Sequence, residues 1–158
     1  MEEREINVRR PLFDRLVDSE PRDPHEVRPL RTLDRAGLKQ SVRRELELLF
    51  NTRSPSPAQR PSGYEQSVID YGIPDLAAFS AGNPDHRAQL AEAMRRAAAF
   101  FEPRLHEIRI RLAPEPGRDA SLGAQIEASV VIDGVPEPVS FEIVLERSSG
   151  KVRVDAAR

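Results

Sequence analysis

The chain has 158 residues, with 24 Lys and Arg against 26 Asp and Glu and no cysteine. A near balance of charge leaves no positive excess to hold a phosphate backbone, and without cysteine there is no disulfide framework, thiolate zinc site or cysteine nucleophile. Nucleic-acid binding and thiol chemistry are therefore not expected. Hydrophobic residues make up 39% of the chain, but 17 of them are alanine, so the core is modest for a chain of this length. The opening MEEREINVRR is charged from its second residue and has no signal-peptide core. No stretch approaches the ~20 apolar residues of a membrane span, so the expected protein is cytoplasmic, with no membrane insertion.

Residues 1–33 read as an N-terminal arm. Pro11-Leu12-Phe13 with Leu16 and Val17 has the spacing of one or two helical turns opened by a proline, and Pro21, Pro24 and Pro29 break the rest of the arm. Phe13 and Leu16 form its apolar end, as ready to bury against a partner as at home. A strong helix then spans about 33–50: Asp34 is an N-cap, and Leu38, Val42, Leu46 and Leu49 share one face. It stops at Asn51-Thr52-Arg53, before the breaker-rich SPSPAQRPSG.

Residues 66–71 suit a short helix ended by Gly72 in a left-handed cap, with Pro74 preventing continuation. Asn83-Pro84 opens a second strong helix over 84–101, striped by Leu90, Ala93, Met94, Ala97 and Phe101.

After Pro103 the period falls from 3.6 to 2. His106, Ile108, Ile110 and Leu112 alternate with charge; after the turn APEPGRDAS, Ile126 to Ile132 alternate; after DGVPEP, Val139 to Leu145 alternate; and a short last strand holds Val152 and Val154. The pattern is an α+β fold, two main helices on a three- to four-stranded antiparallel C-terminal meander with an N-terminal arm, residues 34–158 forming a single domain. Residues 151–158 contain no proline, so the backbone of Val152 and Val154 is expected to offer an edge on which another chain can add a strand.

Chemistry is nearly absent. His25, His86 and His106 have no metal-ligand spacing, and there is no phosphate loop or nucleophile elbow, so no metal, cofactor or catalytic residue is expected. The conspicuous cluster is Phe101-Glu102-Pro103-Arg104-Leu105 at the junction of the second helix and the first long strand. Pro103 drives Glu102 out of the helical region and fixes an elbow. Continued extension sets Glu102 and Arg104 on one side, in line with His106, Ile108 and Ile110, where they either pair internally or meet a partner.

Four stretches in order, Leu12-Phe13-Asp14-Arg15-Leu16, then Ser41 to Leu46 with Asn51-Thr52-Arg53, then Ser67-Val68-Ile69-Asp70-Tyr71-Gly72-Ile73-Pro74-Asp75, then Phe101 to Leu105, resemble the TssE family. Members are type VI secretion baseplate subunits, similar to a phage tail wedge protein long labelled lysozyme-like. The resemblance implies a structural protein and not an enzyme. Its wedge partners are TssF and TssG, met through Glu102, Pro103 and Arg104, and its strands receive the contractile sheath of TssB and TssC. The old label suggests an alternative, a peptidoglycan or glycan hydrolase with Glu102 as general acid. No second carboxylate is marked for it, and Arg104 favours the ionised form of Glu102, the wrong one for an acid.

Overall fold

The computed structural model describes residues 8–9, 11, 32–57, 61–115, 121–132, 134–146 and 148–156. The expected turn around Phe13 and Leu16 lies outside them. Val8–Arg9 (β1) and Thr32–Leu33 (β2) pair antiparallel, with Val8 opposite Leu33. Two helices come next, Arg35–Asn51 (α1) and Pro84–Phe101 (α2), then four strands, Leu105–Pro114 (β3), Ser121–Ile132 (β4), Val135–Glu146 (β5) and Lys151–Ala156 (β6). The four long strands form one antiparallel sheet in the order β3-β4-β5-β6, so the fold is α+β.

Both helices start on the expected caps. Asp34 accepts from the Gly37 amide at 2.7 Å, and Asn83 accepts from Asp85 and His86 with Pro84 in the first turn. They cover one face of the sheet, α1 chiefly over β6 and α2 over β3. Leu38, Val42, Leu46 and Phe50 from α1 meet Leu90, Met94 and Ala98 from α2 above Ile126, Phe141, Ile143 and Val154. No helix among the described residues is long and apolar enough to cross a membrane.

Two differences from the expected pattern have physical causes. The stretch DGVPEP is mostly strand: β4 and β5 are joined by a two-residue connection ending in Gly134 at φ 79°, and Pro136 and Pro138 lie inside β5 opposite Val131 and Ser129. β6 pairs with β5 only from Phe141 to Glu146. At the two prolines β5 is therefore an edge, where a missing N–H costs no ladder bond. The second difference is a bulge in β3 between His106 and Arg109, with Glu107 at φ 53°. The inserted residue shifts the alternation by one. Leu105 is buried, His106 and Glu107 are both exposed, and Ile108 returns toward the core, so His106 is not on the buried face.

Candidate interaction surface

Helix α2 ends where Pro103 requires it to end. Glu102 closes the helix with its amide on the Ala98 carbonyl at 2.9 Å, and its own carbonyl accepts from Leu105 at 3.0 Å, so the chain turns into β3 within three residues. The Glu102 carboxylate points inward and is only 3% exposed. Arg104 meets it with a two-pronged fork, Nε to Oε1 at 2.6 Å and Nη2 to Oε2 at 2.5 Å, and the Arg104 amide adds a longer bond to Oε1. The remaining Nη1 donates to the hydroxyl of Ser41, buried on α1, at 2.9 Å. Such a planar pairing suits a desolvated carboxylate, since it satisfies both oxygens at once. The elbow is thus tied internally and across to α1, while Pro103 faces solvent.

Three rings adjoin the elbow. Phe101 meets Tyr71 edge to face at 5.1 Å and Phe100 at 4.9 Å, and Phe100 is half exposed. Burial, then the nearby charges of Glu45 and Glu102, push the Tyr71 hydroxyl above its ordinary range.

Tyr71 closes a turn, Val68–Asp70, built around a carboxylate. Asp70 is fully buried and accepts from the Ser67 amide at 2.8 Å, the Tyr64 hydroxyl at 2.6 Å and the Ser56 hydroxyl. Gly72 comes next at φ 115°, against the Thr52 carbonyl, and Ile73 exchanges backbone bonds with Thr52 and Ser54 at 3.0 and 2.9 Å. The turn carries Val68 and Ile69 outward, 82% and 72% exposed. Sequence reasoning assigned nothing to this apolar pair. The signal for it was the spacing Ser67-x-x-Asp70, which marks a turn whose own carboxylate is spent on its backbone.

The expected strand edge is occupied. Val152 and Val154 turn their side chains into the core, 3% and 0% exposed. Three of their four outward backbone groups have partners, which the absence of proline did not suggest: Asn51 donates to the Val152 carbonyl at 2.7 Å and accepts from its amide at 2.9 Å, and Arg43 donates to the Val154 carbonyl at 2.9 Å. The blocking residues lie about a hundred positions away in sequence, so nothing within residues 151–158 could reveal them. Phe13 and Leu16 lie outside the described residues. His86 accepts from the Ser80 amide at 3.0 Å and stacks edge on against Phe79, which is a structural use of its ring.

A family model described as baseplate wedge protein gp25 matches residues 36–135, which include α1 from its second residue, the Asp70 turn, the elbow and β4. Among solved structures, a chain of "The baseplate complex from the type VI secretion system" is similar over 76% of this chain and 95% of that one, with a TM-score of 0.52 and 18% identity. At that identity the likeness is one of fold. No curated protein matches the chain.

Proposed function

Because the chain belongs to the family of baseplate wedge protein gp25, we propose that it is a TssE-like structural subunit of a type VI secretion baseplate, acting in the cytoplasm and without chemistry of its own. Its wedge partners are TssF and TssG, and the sheath of TssB and TssC begins on its sheet. The observation that carries this reading is the elbow. It falls inside the family match, its backbone is held by the Glu102–Arg104 fork and Ser41, and it exposes Pro103, three residues after the half-exposed Phe100. A rigid surface loses little entropy on docking, which suits a scaffold contact.

Within this reading Glu102 works from inside, by holding Arg104, while Pro103 and the outer edge of Arg104 meet the wedge. A sheath strand adds at the β3 edge, because both outward groups of Val152 and the outward carbonyl of Val154 on β6 already have partners within the chain. The hydrolase alternative is not favoured, since both oxygens of Glu102 accept from Arg104 and the carboxylate is buried.

Co-purification of the tagged chain with identified wedge and sheath proteins tests the assignment. Pro103→Asp is expected to keep the melting temperature within a few degrees and to lose TssF and TssG. Wedge binding unchanged in Pro103→Asp would remove the elbow from the interface. Cleavage of peptidoglycan by the purified chain would replace the reading with the hydrolase.

A further inference from the structure

The sheet's β6 edge is closed by an ordered set of side chains. Along an antiparallel strand, alternate residues point their N–H and C=O away from the neighbour. On β6 and the residue before it, three carbonyls are addressed in sequence: Gly150 by Arg53, Val152 by Asn51 and Val154 by Arg43. The donors run from 53 to 43 as the acceptors run from 150 to 154, so they track β6 in the opposite direction. Asn51 goes further. Its carboxamide is a peptide-like group, and it makes with Val152 both the bonds, 2.7 Å out and 2.9 Å back, that a residue of a neighbouring antiparallel strand would make. The same carboxamide also donates to the Glu47 carbonyl at 2.8 Å, which fixes its direction.

The edge so covered is self-complementary. Pairing β6 with a second copy about a two-fold axis at Arg153 sets Val152 opposite Val154 twice and Lys151 opposite Asp155 twice, apolar against apolar and positive against negative. Only Arg153 meets its own copy, and Asp155 already lies 3.3 Å from its guanidinium. The outward groups also match, because the residues that would exchange bonds across the axis, Val152 and Val154, are those whose carbonyls face off the sheet. We propose that the Arg43, Asn51 and Arg53 ladder is a guard that stands in for a fifth strand and keeps β6 from pairing with a second copy of this chain. The proposal does not depend on the baseplate assignment.

The test removes the two donors nearest the axis. Arg43→Ala/Asn51→Ala is expected to double in mass by light scattering while the wild type stays single. With Arg153→Cys added, the pair should form a disulfide dimer under oxidising conditions, and the wild type carrying Arg153→Cys should not. Adding Val154→Pro, which removes an outward amide and no bond to β5, should return the variant to the single chain. A fully folded double variant that remains single overturns the guard, as does a dimer that survives Val154→Pro or a wild type that cross-links equally well. If the double variant does not fold, amide exchange in the wild type decides: a Val152 N–H that exchanges as fast as an open amide overturns the proposal, and a slow one supports it.

Discussion

Removing the guanidinium of Arg104 strips the buried Glu102 carboxylate of both of its side-chain bonds. Breaking one side of a buried pair costs on the order of 3–5 kcal/mol. Because Arg104 keeps 22% of its side-chain surface exposed, Arg104→Ala is expected at the low end, about 3 kcal/mol, by urea unfolding. Glu102→Gln in the same chain should recover part of that loss, since it removes the uncompensated charge. Tyr71 supplies a second reading of the same corner. A phenol whose folded pKa is raised contributes stability that is complete below the ordinary value near 10 and fades as pH rises through the folded value. Titration of tyrosinate absorbance should therefore show a step above the ordinary range, and Tyr71→Phe should remove it. Gly72 is equally specific: a Cβ there would sit 2.4 Å from the Thr52 carbonyl oxygen at φ 115°, so Gly72→Ala should lose more than about 2 kcal/mol. The elbow and the left-handed Gly72 were legible in sequence because proline and glycine act on their immediate neighbours. Ser41 was not, because the hydroxyl that completes the Arg104 fork lies 63 residues away and nothing local marks it.

The helices were legible as elements, since cap and stripe agree in each: Asp34 and Asn83 at the starts, and 3.6-residue apolar rows behind them. The four strands of the main sheet were legible but their lengths were not, and the short β1–β2 pair inside the expected arm was not foreseen. Period-2 alternation reports which face is buried, whereas strand ends depend on neighbours, and Pro136 and Pro138 read as a turn because the early end of β6 is not visible in their own sequence. The segment between the helices was least legible, because its order comes from one carboxylate rather than from periodicity. Asp70→Ala removes the acceptor for the Ser67 amide and for two hydroxyls. Hydrogen bonds to a charged group contribute about 1.5–3 kcal/mol each net of exchange with water, and they are not additive when they share one acceptor, so a loss of about 3 kcal/mol is expected. Faster proteolysis confined to 52–74, with protected β-strands, would mark it as a local effect. Loss of stability without local exposure would show that Asp70 supports the core instead.

At the scale of the molecule, two helices share one sheet face, and each depends on a different edge of it. Helix α1 lies over β6, so its apolar row of Leu38, Val42, Leu46 and Leu49 is covered by the strand furthest from it in sequence. Truncation after Gly150 is expected to expose this row, raise binding of an apolar dye and flatten the near-ultraviolet circular dichroism while helix content persists. A truncated chain that still unfolds cooperatively would mean that α2 and β5 alone hold α1 in place.

The same separation governs how the protein is made. Helix α1 leaves the ribosome early and β6 about a hundred residues later, and closing so long a loop is slow compared with forming either helix. Until then the apolar side of α1 lacks the strand it chiefly lies over, and a nascent chain in that state is a substrate for chaperones rather than a finished fold. Synthesis must deliver β6 before the first helix can be committed to its place.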